Sequence, residues 1–177
     1  MRYTIALARP DDLARLPSIE LAAARLLEGQ APESILAEST AIEDLRDAQA
    51  EGRLWVALAD DEPVGFAIVE MLADGLPHLD EVDVHPDHGR RGLGTALVRA
   101  VCDWTAAREF PEITLTTFRA VRWNMPFYAR MGFEPVSERE QRAALREVVD
   151  DETARGLDPA ARCVMRYRVA KPRGRRA

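Results

Sequence analysis

From Glu81 to Val101 the chain reads "EVDVHPDHGRRGLGTALVRAV". Apolar residues alternate as far as Val84, a proline follows, and a knot of glycine and arginine leads into an amphipathic run. A strand, a loop of bare backbone and a helix start, in that order, make a seat for an anion. Gly92 and Gly94 have no Cβ, so a phosphate can approach their backbone N–H groups closely. These groups, with those of Leu93, Thr95 and Ala96, belong to a helix N-terminus, where orphan donors and the dipole favour negative charge. Arg90 and Arg91 add charge for a pyrophosphate or a phosphate monoester, and Thr95 can donate its hydroxyl.

Titratable side chains stand just upstream. Alternation along a strand puts His78, Asp80, Val82 and Val84 on one face, with Glu81 and Asp83 on the other. Two titratable groups at i and i+2 can reach a shared water, which suits them to moving a proton. A β-bulge would flip the alternation and bring Glu81 forward instead.

Several folds seat phosphates in this way, and spacing separates them. The P-loop pattern needs a lysine after its second glycine, and the only lysine of the chain is Lys171. The dinucleotide fingerprint G-x-G-x-x-G begins at Gly92 and Gly94 but meets Leu97 at its third glycine. The pattern that remains is R-x-G-x-G/A after a strand ending V-x-P. Here "VHPDHGRRGLGTAL" resembles the acetyl-CoA loop of the GNAT superfamily of N-acetyltransferases. Downstream, "WNMPFYARMGF" looks like that family's aromatic segment ending Y-x-x-x-G-F. The order of elements also agrees, so the resemblance covers residues 3–168.

The resemblance implies an α/β fold with a central mixed, mostly antiparallel sheet flanked by helices. It implies acetyl-CoA as cosubstrate, no metal, and direct transfer of acetyl to a primary amine in a ternary complex. Tyr128 takes the place of the tyrosine that protonates the departing CoA sulfur. The base falls four to six residues before the valine of V-x-P, on Asp80 or His78, with Glu81 in reserve because the family carries a bulge in this strand. Backbone groups around Val82, Asp83 and Val84 would then face the developing oxyanion. Asn124 is either a helix N-cap or a CoA contact. Gly89 departs from the glutamine or arginine common at its position, so it acts by backbone alone. Two other readings stay open: a CoA-binding module without catalysis, and an acyltransferase using another acyl-CoA or an alcohol acceptor.

The chemistry explains why a base matters. An alkyl amine with a pKa near 10.4 is a free nucleophile in only about one molecule in 10³ at pH 7, whereas a thiolate of pKa about 8.5 leaves fairly readily.

Elements must hold these residues. A strand over Tyr3–Pro10 precedes a helix capped at Asp11 and interrupted by Pro17. After the loop Glu28–Ser34, a second helix covers Ser39–Ala50; these helices and the loop should line the acceptor pocket. Leu54–Ala59 and Val64–Leu72 flank the turn "DDEP", and Leu79–Val84 completes a meander. Leu93, Leu97, Val101 and Trp104 make one buried helix face. Glu112–Phe118 is a strand, "MPFYARM" a short helix, and Gly132–Val136 the start of another strand. A charged helix over Glu138–Arg155, anchored by Leu145 and Val148 or Val149, precedes the last strand in "ARCVMRYRV".

A chain of 177 residues, 47% apolar and 6% aromatic, suits one α/β domain over residues 1–170, with a basic disordered tail at 171–177. Cys102 and Cys163 read as two buried thiols. The net charge of −6 opposes general nucleic-acid binding. No apolar run reaches the roughly 18 residues of a membrane span, and the opening residues read as structure rather than a leader. The expected setting is cytoplasmic, with a homodimer possible.

Overall fold

The computed structural model describes residues 1–170; the basic tail expected at 171–177 lies outside the described residues. One seven-stranded sheet contains β1 (Tyr3–Leu7), β2 (Leu54–Ala59), β3 (Glu62–Met71), β4 (Pro77–Val84), β5 (Glu112–Phe118), β6 (Glu134–Pro135) and β7 (Arg162–Arg168). Their spatial order is β1-β2-β3-β4-β5-β7-β6. Helices α1 (Leu16–Ala24), α2 (Glu33–Leu36), α3 (Ile42–Ala50), α4 (Leu93–Ala107), α5 (Met125–Arg130) and α6 (Ala143–Ala154) flank it. Neighbouring strands are antiparallel except β4 and β5, which run parallel and are joined through α4. This is the mixed, mostly antiparallel α/β architecture that the motifs imply. Among the described residues no helix is long and apolar enough to cross a membrane.

Each face of the sheet has its own core. Leu93, Leu97 and Val101 of α4 pack on one face with Ala67, Val69, Leu79 and Ile113. Trp104, one turn further on, meets Trp55 edge-on at 5.7 Å. Each buried aliphatic side chain of this stripe contributes about 1.5–3 kcal/mol, and Leu97→Ala would cost about 2–5 kcal/mol through the cavity it leaves. On the other face, Leu16 and Ile19 of α1 and Leu45 and Ala48 of α3 cover Val56, Phe66 and Ile68. Cys102 and Cys163 are free and buried, as expected.

Local chemistry moved several boundaries. The first helix is not capped at Asp11. A 3-10 turn over Pro10–Arg15 comes first, and the Asp12 carboxylate accepts the Arg9 backbone N–H at 2.7 Å while pairing with its guanidinium at 2.8 Å. Pro17 does not kink α1 but stands in its first turn, where a missing N–H costs nothing. The loop after α1 contains the single turn α2. The charged helix begins at Ala143 rather than Glu138, because Ser137 and Glu140 close a separate 3-10 turn, Oγ to Oε2 at 2.7 Å.

One feature of the sheet positions everything else. β4 and β5 register at a single pair, His78 with Thr114. β5 then follows β7 along its whole length, so β4 and β5 diverge and the β4 edge beyond His78 faces open space rather than a strand.

Candidate active site

The glycine loop sits at the mouth of that fork. Pro86–His88 form a 3-10 turn, Gly89 donates its N–H to the Pro86 carbonyl at 3.0 Å, and Arg90 adopts φ +59. Gly92, at φ +80, is the N-cap of α4. The Ala96 N–H donates to the Gly92 carbonyl at 2.9 Å. The N–H groups of Leu93, Gly94 and Thr95 therefore precede the first intrahelical bond and are the donors a helix start leaves over. Leu93 itself is buried in the core, while Thr95 and Ala96 are half-buried.

The two arginines divide. Arg90 lines a cavity of about 890 Å³ together with Gly89 and Gly94. Arg91 instead donates to the Asp87 carbonyl at 2.7 Å and lies over the Tyr3 ring at 5.9 Å, so it braces the loop against β1.

β4 supplies the wall of the cavity. Its pairing with β3 runs Glu81 to Ile68 but Leu79 to Val69, so Asp80 has no partner and forms a bulge. A bulge sets two consecutive side chains against one residue of the neighbouring strand. The face assignment read from plain alternation is therefore corrected. Val82 and Val84 turn toward α4 and its core. His78, Asp80, Glu81 and Asp83 share the opposite face, with Asp80 and Glu81 adjacent. The N–H groups of Val82 and Val84 are not splayed by the bulge, since Val82–Val84 pair regularly with Gly65–Ala67. The His85 N–H donates to Val64 across β3 at 2.8 Å. By alternation the N–H groups of Val84 and Val82 point into the fork, and the strand divergence exposes them.

His78 is placed differently from the sequence expectation. It is 1% exposed, its Nδ1 lies 2.9 Å from Thr114 Oγ1, and burial holds its pKa down at about 4. It is packed at the apex of the fork, whereas Asp80 and Glu81 line the cavity.

Like charges crowd the carboxylate face. Burial first, and then Glu70, Glu20 and Glu152, raise Asp80 to about 6. Burial and Glu20 raise Asp83 to about 8. Glu81 is pushed well above the usual carboxylate range by burial, Asp83 and Asp80. Glu20, a buried residue of α1, accepts the Thr40 N–H at 2.9 Å. These partners come from α1, β3 and α6, and no local motif marks them in the sequence.

Tyr128 is half-buried in the cavity wall, packed edge-on against Phe127 at 5.0 Å and Phe133 at 5.6 Å. Burial, then the nearby Glu81 and Asp83, raise its phenol above the ordinary value, so it holds its proton. Asn124 also lines the cavity. Its backbone carbonyl accepts from Phe127 at 2.8 Å and Tyr128 at 3.0 Å, and its side chain makes no capping bond to α5. Opposite, Arg162 grips Glu152 at 2.6 and 3.1 Å and donates to Thr116 at 2.9 Å. The residues Ala23, Leu26, Leu27, Ala31 and Ile35 close the cavity from the first two helices and the loop between them.

An anion seat, an open strand edge, a protonated phenol and a carboxylate pair in one cavity form a constellation suited to acyl transfer from a phosphate-bearing donor. The acetyltransferase (GNAT) family model matches residues 21–133, and the chain belongs to that family. Mycothiol acetyltransferase of Nocardiopsis dassonvillei is 46% identical over 80 residues, covering 45% of this chain and 23% of that protein. The enzyme of the same name from Mycobacterium avium is 37% identical over 95 residues, 52% of this chain and 28% of the other. These matches span about a quarter of the curated relatives' length. Among solved structures, PaiA N-acetyltransferase from Thermoplasma acidophilum in complex with coenzyme A superposes with a TM-score of 0.73 at 16% identity, over 96% of this chain and 100% of that one. N-acetylglutamate synthase from Neisseria gonorrhoeae, complexed with coenzyme A and N-acetyl-glutamate, gives 0.69 at 16% identity, over 97% and 36%. At such identities these likenesses concern the fold.

Proposed function

We propose that residues 1–170 form one catalytic unit that transfers acetyl from acetyl-CoA to a primary amine within a ternary complex. The observation that carries this reading is the fork between β4 and β5, which has the α4 N-terminus at its mouth and Asp80, Glu81 and Tyr128 in the adjoining cavity. The pyrophosphate of the donor fits the free N–H groups of Leu93, Gly94 and Thr95, with Arg90 beside them. The amide-bearing arm fits the unpaired β4 edge at Val82 and Val84, as an added strand would. Asn124, on the cavity wall, is suited to a polar contact with the same arm.

The acceptor enters as an ammonium, and its proton must go first. Asp80 and Glu81 stand side by side at the bulge with both carboxyls raised, so the two share the role of proton acceptor. Raising a carboxyl toward neutrality narrows its mismatch with the amine and improves it as a base. The free amine attacks the thioester carbonyl, the N–H groups on the open β4 edge face the oxyanion, and Tyr128 gives its proton to the departing sulfur. The carbon–nitrogen bond forms first; as the oxyanion collapses the carbon–sulfur bond breaks, and the second proton of the nitrogen returns to the Tyr128 oxygen, leaving a neutral amide and a free thiol. The test is thiol release from acetyl-CoA with a panel of primary amines, the acetylated product being identified by mass spectrometry. A melting temperature that rises with CoA while no amine releases thiol would leave a binding module in place of an enzyme.

A further inference from the structure

We infer that the acceptor is an amphiphilic primary amine, an ammonium attached to an apolar alkyl or aryl body. The inference rests on the acetyl-transfer reading and concerns the acceptor end of the same cavity. One wall carries Glu70, Asp80 and Glu81 from the sheet and Glu147 and Asp151 from α6. None of these carboxylates has an ion-pair partner among the described residues. The two arginines nearest them are engaged elsewhere, Arg155 with Glu38 at 2.6 Å and Arg162 with Glu152 at 2.6 Å. Carboxylates crowded without a counterion favour a ligand that brings one.

Another part of the lining has the opposite character. Leu26, Leu27, Ala31, Ile35 and Trp123 line it, and Leu26 and Trp123 are 51% and 55% exposed. Large apolar side chains left open in a concave site mark a surface that a ligand covers. An amino sugar would satisfy the acidic wall and leave the apolar one wet. A short polyamine would bring further charge and little apolar surface. An ammonium with a hydrocarbon body matches both walls at once, and about 890 Å³ has room for it beside the acetyl end of the donor.

The test is thiol release at saturating acetyl-CoA with the n-alkylamines from ethylamine to hexylamine, whose amine pKa values hardly differ, alongside phenethylamine, putrescine and glucosamine. Each methylene buried against an apolar wall is worth about fourfold in affinity, so kcat/KM should climb at least about tenfold along the series. Leu26→Ser and Trp123→Ala, both at exposed positions, should each reduce the hexylamine-to-ethylamine ratio. A flat series, a ratio unchanged in both variants, or a preference for putrescine or glucosamine would overturn the inference while leaving acetyl transfer intact. No thiol release with any amine would instead overturn the acetyl-transfer reading, and this inference with it.

Discussion

His78 and Thr114 meet at 2.9 Å, at the only position where β4 and β5 are in register. Both are buried, so the contact is the apex from which the two strands diverge. His78→Leu would remove one partner and leave the Thr114 hydroxyl buried alone, at a cost of about 1–3 kcal/mol measurable by urea unfolding at pH 7.5. The pKa of His78 is depressed, so the unfolded chain takes up a proton below about pH 6.5 that the folded chain refuses until about 4. The wild type therefore loses stability through that window and the variant does not, so the gap between them should narrow as pH falls. The pH–rate profile for acetyl transfer should keep its shape. Loss of its rising limb in the variant would return His78 to the proton path.

The loop glycines separate by mechanism. Gly92 has open space around an added Cβ, but its φ of +80 belongs to glycine, so Gly92→Val strains the backbone at the start of α4. Gly94 has an ordinary helical setting, and its added Cβ would lie 3.9 Å from Phe127 Cζ. Gly94→Val should thus fold normally and lose at least about tenfold in CoA affinity, because it fills the approach to the helix donors. Gly92→Val should lose affinity together with stability, about 1–2 kcal/mol from the left-handed backbone. Calorimetric titration and thermal melts separate the two. Unchanged CoA affinity in folded Gly94→Val would remove the phosphate from this loop.

The loop was legible in the sequence because its chemistry is local: glycine, arginine and helix start lie within a few residues of one another. Tyr128 was legible for a similar reason, within a compact aromatic segment. The carboxylate face was not. Simple alternation separates Asp80 from Glu81, and only the pairing of Ile68 and Val69 across β3 shows that Asp80 is the extra residue. Glu20, Glu70 and Glu152 reach the same place from three distant elements, and nothing near any of them in the sequence signals it. Arg91 shares its neighbour's charge and differs only in where the backbone turns it.

Tyr128 lines the cavity and keeps its proton well above neutral pH, as the acid proposed for the departing sulfur must. Tyr128→Phe preserves the ring packing against Phe127 and Phe133 and removes only the hydroxyl. CoA affinity and melting temperature should change little, while turnover falls by roughly 10–10³-fold, because general acid catalysis is commonly worth 10²–10⁴-fold and a thiolate leaves fairly readily. An unchanged rate at saturating substrates would reduce Tyr128 to packing.

With Asp80 and Glu81 as the proposed proton acceptor, activity and stability should both depend on pH. With Asp80 raised to about 6, kcat/KM should rise as the Asp80–Glu81 pair loses its proton, with an apparent pKa between about 6 and 8 that belongs to the pair. Asp80→Asn or Glu81→Gln should flatten that limb and lower the rate at least about tenfold. The measurement needs an acceptor whose own amine pKa is known, since amine titration imitates an enzyme base. The same shifts act in reverse on folding. Carboxyls whose folded pKa lies above the unfolded value bind protons more tightly in the folded state, so their contribution is full at low pH and is lost as pH rises. For Asp83, raised to about 8, the loss runs from about pH 4 up through pH 8. Asp83→Asn, which removes that charge, should therefore raise the melting temperature at pH 8.5 and have much less effect at pH 4. Equal shifts at both pH values would mean that Asp83 carries no strained charge in the folded protein, and that the acidic face is better solvated than its crowding implies.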